Sequence, residues 1–143
     1  MPIFVDTNVL VYARDSSDPG KQTRASEWVS HLWESEEGRL SLQVLNEYYV
    51  TTTTKLRPGL SRADARADVE DLLAWRPIEL DAWMLAPAWG MEDRFGLSYW
   101  DSLIVAAASV AGCGFLLSED LQHGADLDGV RVVDPFQTSV GEI

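Results

Sequence analysis

The chain has 143 residues, enough for one compact domain and seldom for two. Hydrophobic residues make up 46% and charged residues 24%, which excludes a disordered chain, and no apolar run approaches the roughly 20 residues that span a membrane. With 23 Asp and Glu against 11 Lys and Arg, the net charge is −12, which excludes a general basic surface for nucleic acid and leaves only a local basic patch or a bound cation.

The first six residues reach an acid without any basic stretch, so no signal peptide is expected there. Pro2-Ile3-Phe4-Val5 is a short apolar run ending in the helix-initiating set Asp6-Thr7-Asn8, which predicts a buried strand running into a helix. Asp15 to Gly20 is a loop by turn chemistry. From Lys21 to Glu37, Ala25, Trp28, Val29, Leu32 and Trp33 recur at helical spacing, with Gly38 as the stop. Leu40-Ser41-Leu42 alternates like a strand, and Val44, Leu45, Tyr48, Tyr49 and Thr52 form the next helical stripe, halted by Arg57-Pro58-Gly59.

Ser61 opens a further helix to about Trp75, with Asp64 as capping-box partner. Pro77 to Leu80 is a candidate strand, and the helical pattern from Asp81 contains Pro87 and Gly90, which predicts a kink or break. Ser98 to Gly112 is a helix, while Phe115 to Ser118 and Val130 to Val133 are buried strands. Without repeats or linkers, residues 1–143 make a single domain. The alternation predicts an α/β sandwich with a mostly parallel central sheet flanked by helices.

Three acids fall at element ends. Asp6 closes the first strand, Asp120 follows the strand ending near Ser118, and Asp101 lies in the first turn of the long helix. Ligands of parallel sheets gather outside the carboxyl ends of the strands, so Asp6 and Asp120 meet there if their strands are neighbours. Glu47, early on its helix, joins them if that helix packs alongside. Each acid also has an ordinary reading: Asp6 as a helix cap, Asp101 as the partner in a Ser98 capping box, Glu47 as a solvated helix residue, Asp120 as a turn former. Together they suggest a site, because buried carboxylates are costly unless a cation neutralises them. Oxygen ligands without thiolates or paired imidazoles select Mg²⁺, or Mn²⁺ in its place, and such sites hydrolyse phosphodiesters.

Val5-Asp6-Thr7-Asn8-Val9-Leu10, Leu45-Asn46-Glu47-Tyr48-Tyr49, Tyr99-Trp100-Asp101-Ser102-Leu103-Ile104 and Leu116-Leu117-Ser118-Glu119-Asp120-Leu121 resemble the four signature segments of PIN domains. More narrowly they resemble the VapC-type toxins of bacterial toxin–antitoxin modules. The resemblance covers nearly the whole chain. It implies a PIN fold, Mg²⁺-dependent endoribonuclease activity on RNA leaving 5′-phosphate and 3′-hydroxyl ends, a cognate antitoxin that blocks the site, and a homodimer. By position, Asp6, Glu47, Asp101 and Asp120 match the family's catalytic and metal-binding acids. Asn8 and Ser118 match the small polar positions that orient those acids or a ligand water. Asp120 rather than Glu119 is the matching acid, and Ser102 is at most a supporting residue.

The other candidates are weaker. His31 sits on a polar helix face, and His123, near Asp120, is a candidate substrate contact. Neither has a serine or cysteine partner at a recognisable elbow, so acyl transfer is unsupported. The single Cys113 excludes an internal disulfide and a thiolate zinc site, is read as structural, and suits a reducing cytoplasm. Trp28, Trp33 and Trp100 fall on or beside core stripes and read as packing rather than base stacking. Arg57, Arg62 and Arg66 form the best basic cluster, either a solvated helix start or a contact for RNA or antitoxin. The alternatives are a catalytically silent PIN-like nucleic-acid-binding or scaffold module and a receiver-type signalling domain. The receiver needs a lysine near the last strands, which neither Lys21 nor Lys55 supplies. A haloacid-dehalogenase-type phosphatase would need a second aspartate that Asp6-Thr7-Asn8 lacks.

Overall fold

A computed structural model describes all residues, Met1–Ile143. Strand β1 (Ile3–Val5) is buried throughout, and helix α1 (Thr7–Tyr12) follows at once. The switch is made by Asp6, which keeps extended backbone angles while its carboxylate accepts the Thr7 N–H. Helix α2 (Pro19–Ser35) starts two residues earlier than its apolar pattern, because Asp18 caps it and Pro19 occupies its first turn, where no N–H is missed. It ends at Glu36 in the left-handed conformation, not at Gly38.

Gly38 instead lies in strand β2 (Gly38–Arg39), upstream of the predicted Leu40-Ser41-Leu42 strand. A Cβ there would sit 2.8 Å from the Trp75 ring, so the sheet edge and that indole can approach only over glycine. Ser41 belongs to the next element, since its hydroxyl caps helix α3 (Leu42–Val50). The backbone then widens into a π-helical turn at Thr51–Lys55, where the hydroxyls of Thr52, Thr53 and Thr54 bond carbonyls one turn back.

Helix α4 (Arg62–Leu72) is capped by Ser61 as its sequence predicts. The Pro77–Leu80 strand reduces to one bridge between Ile78 and Ser41. The predicted kink is absent: helix α5 (Leu85–Phe95) runs unbroken, because Pro87 falls in its first turn, and the irregularity sits before it in a 3₁₀ turn at Ala82–Met84. Helix α6 (Tyr99–Val110) is buried continuously from Ser102 to Ala108.

Strands β3 (Phe115–Leu117), β4 (Asp126–Leu127) and β5 (Val130–Val133) complete a five-stranded sheet of order β2-β1-β3-β5-β4. All pairings are parallel except β4 with β5. That last hairpin turns through Asp128-Gly129, both with positive φ, the signature of a tight two-residue turn. One contiguous hydrophobic core joins the sheet to all six α-helices. The fold is therefore the mixed α/β sandwich with a mostly parallel central sheet, and no helix is long and apolar enough to cross a membrane.

Candidate active site

Strands β1 and β3 are direct neighbours with Val5 opposite Leu117, so the residues that leave them, Asp6 and Ser118, emerge side by side at the carboxyl rim. The Asp6 N–H still donates to the Leu117 carbonyl at 3.0 Å. Both side chains are buried. The Ser118 hydroxyl donates to Asp6 Oδ2 at 2.8 Å, and Asp6 Oδ1 accepts the Thr7 N–H at 2.7 Å. Ser118 Oγ in turn accepts from the Asp120 N–H at 3.2 Å and from Asn8 Nδ2 at 3.4 Å, so this hydroxyl uses its whole bonding capacity.

Asn8 ties the two strand ends together. Its Nδ2 also donates to Asp120 Oδ2 at 3.2 Å, and its Oδ1 accepts the Glu119 N–H at 3.1 Å. The adjacent acids thereby part company: Asp120 turns toward Asn8, whereas Glu119 pairs with Lys21. Glu47 reaches the same region from α3. Its Oε2 accepts the Thr7 hydroxyl at 2.8 Å, and its Oε1 accepts Gln43 Nε2 at 3.0 Å. Gln43 Nε2 also donates to the Trp100 carbonyl at 3.2 Å, which links α3 to the start of α6.

Asp101 lies beside that link. Its backbone N–H is capped by Ser98 Oγ at 3.1 Å, but its carboxylate accepts no hydrogen bond, so the reciprocal half of the capping box is not made. Ser102 is buried and bonds the Ser98 carbonyl, away from the acids.

Burial pushes the Asp6 carboxyl up to about 6, against the hydrogen bonds from Ser118 and Thr7, which favour the charged form. The negative charges of Asp120 and Asp101 push it further in the same direction. None of Asp6, Glu47, Asp101 and Asp120 is paired with a lysine or arginine. The cluster is thus a patch of carboxylate held by neutral donors. A hard divalent cation fits that donor set in charge and chemistry. As the side chains stand, however, no three acidic, histidine or cysteine residues converge to hold an ion, so ligation needs side-chain movement.

Several other candidates stand apart. The His123 ring is engaged by the Asp134 N–H at 3.0 Å. Trp28 is packed as its stripe predicts, but Trp33 is 40% exposed and Trp100 is 62% exposed, so the packing reading fails for Trp100. Its side chain, one position before Asp101, meets only the Tyr99 ring edge among the aromatic groups. Arg57, Arg62 and Arg66 are exposed and form no ion pair, and Arg66 lies 5.9 Å over the Tyr49 ring. A concavity of ≈ 630 Å³ contains none of the four acids. It is an apolar groove between Leu10, Ala13, Val29, Trp33 and Leu72, with the Arg14–Asp68 ion pair and Tyr48 along it. Thr7 and Gln43 join the site without a motif that marks them in the sequence. Gln43 was findable in principle as the residue one turn before Glu47 on the same helix face.

The PIN domain model matches residues 3–125. No curated protein matches the sequence. Among solved structures, FitAB bound to a DNA fragment is similar at TM-score 0.70 and 18% identity, covering 98% of this chain and 99% of that one. VapC20 of Mycobacterium tuberculosis, a sarcin-ricin loop cleaving toxin, is similar at TM-score 0.62 and 21% identity, covering 82% and 89%. A toxin–antitoxin complex from Klebsiella pneumoniae is similar at TM-score 0.64 and 18% identity, covering 94% and 98%.

Proposed function

From the premise that this chain belongs to the PIN domain family, we propose that it is the toxin of a toxin–antitoxin pair, a cytoplasmic Mg²⁺-dependent endoribonuclease of one domain. The observation that carries the reading is the uncompensated carboxylate cluster around buried Asp6, with the Asp101 carboxylate left free of any partner. Asp6, Glu47, Asp101 and Asp120 would hold Mg²⁺ or Mn²⁺, with Asn8 and Ser118 orienting Asp6 and Asp120. A bound divalent cation supplies the positive charge that an acidic chain needs to accept a phosphodiester, and activates water toward phosphorus. The chain's own residues do the rest. Ser118 and Thr7 fix Asp6, Asn8 holds Asp120 across the strand ends, and exposed Trp100 offers a face for a base beside the acids.

The partners follow from two surfaces. An antitoxin segment would cover the apolar groove along Leu10, Val29 and Leu72 and set a basic side chain among the acids. A second copy of the chain would cover exposed Trp83, Leu85 and Trp89. The unconverged acids favour one competing reading, a catalytically silent PIN scaffold. Incubation of purified protein with single-stranded RNA separates the two. Cleavage with Mg²⁺ or Mn²⁺, abolished by EDTA and leaving 5′-phosphate ends, supports the nuclease. Intact RNA at every cation concentration supports the scaffold, and cleavage that persists in EDTA overturns the cation's role.

A further inference from the structure

Gln43 is the one polar side chain at this site whose burial the fold does not explain. It is 5% exposed, in the first turn of α3, and its Oε1 is buried with no hydrogen-bond partner. The amide orientation follows from its neighbours: both the Glu47 carboxylate and the Trp100 carbonyl accept only, so the –NH₂ must face them. The oxygen on the same carbon is then left unpaired beside that junction. The orphaned oxygen is a desolvation cost that an apolar side chain of the same length would not carry, set against the two bonds the –NH₂ donates. What the amide adds over such a side chain is those two bonds.

Its two donated bonds join distinct parts of the acidic cluster. One hydrogen goes to Glu47, the member supplied by α3. The other goes to the backbone immediately before Asp101, the member supplied by α6. Thr7 donates to the opposite oxygen of the same Glu47 carboxylate, so each Glu47 oxygen carries a bond from a neutral donor.

We propose that Gln43 is the positioning residue of the cluster, setting the spacing of Glu47 and Asp101 for a divalent cation through its bridge from Glu47 to the Trp100 carbonyl. The inference rests on the reading of the four acids as a cation site. Groups that orient metal ligands typically govern affinity by tenfold or more when removed.

Gln43→Met tests it, since methionine keeps the length and removes both the bridge and the orphaned oxygen. Two quantities are measured on wild type and variant: the melting temperature in EDTA, and the Mn²⁺ dissociation constant by electron paramagnetic resonance. The expected result is a melting temperature in EDTA close to wild type, since both acceptors are only part-buried and water can replace the lost donor, together with a Mn²⁺ dissociation constant raised about tenfold. Unchanged Mn²⁺ affinity overturns the inference while leaving the cation site standing. A variant that melts clearly below wild type in EDTA, or fails to fold, also overturns it, because Gln43 then serves the fold. If wild type binds no Mn²⁺, the cation reading itself fails, and the inference falls with it.

Discussion

Asp6→Asn should stabilise the metal-free protein at neutral pH and destabilise it in acid. The wild-type carboxyl rises from its ordinary 3.8 to about 6 on folding, chiefly through burial. Below the unfolded value both states are protonated, and the group contributes nothing. Between roughly 4 and 6 the unfolded chain ionises first, so stability falls as pH rises. Above about 6 both states are ionised and the full penalty, about 3 kcal/mol, is in place. Asparagine never ionises. Its oxygen can still accept the Thr7 N–H, but its –NH₂ meets a Ser118 hydroxyl already accepting from Asn8 and Asp120, a mismatch of about 1 kcal/mol. The balance is a gain of about 2 kcal/mol for the variant near pH 7.5 and a loss of about 1 kcal/mol near pH 3. Urea unfolding in EDTA at both pH values measures it. A variant less stable than wild type at the higher pH would refute the reasoning, because burial would then not be straining Asp6.

Three further outcomes are expected. Ser118→Ala removes a hydroxyl that makes one donated and two accepted bonds among Asp6, Asn8 and Asp120, and should cost about 1–3 kcal/mol in urea unfolding. Asp101→Asn leaves the Ser98 cap in place, so metal-free stability should stay within about 0.5 kcal/mol, while the rise in melting temperature with Mg²⁺ and the RNA cleavage are both lost. Gly38→Ala forces a Cβ against the Trp75 ring and should cost about 1–3 kcal/mol without altering cation affinity, read by unfolding and Mn²⁺ titration.

The parts legible in the sequence were those with local causes. Apolar runs marked β1, β3 and β5, and Ser61 and Ser98 announced the helices they cap. Asp6 and Asp120 share one rim if their strands pair, and β1 and β3 do pair. Misplaced elements had causes outside their own segments. Two-residue β2 has no periodicity to read, and its position depends on Gly38 meeting Trp75 from far along the chain. Pro87 looked like a break because its distance from the helix start was unknown. The Asp128-Gly129 pair is itself a hairpin signal carried by the sequence. Trp100 shares its helical spacing with buried Leu103 and Ile104, yet it faces solvent, which periodicity alone does not decide. The bonds that Gln43 and Thr7 make to Glu47 depend on side-chain reach that spacing alone does not define.

A crystal structure grown with Mn²⁺, using its anomalous scattering, tests the central claim most directly. The account predicts a Mn²⁺ peak ligated by carboxylate oxygens of Asp6 and Asp101, with Glu47 and Asp120 drawn toward it directly or through water. A site without Mn²⁺ at saturating concentration, or Mn²⁺ bound only elsewhere on the acidic surface, would contradict it.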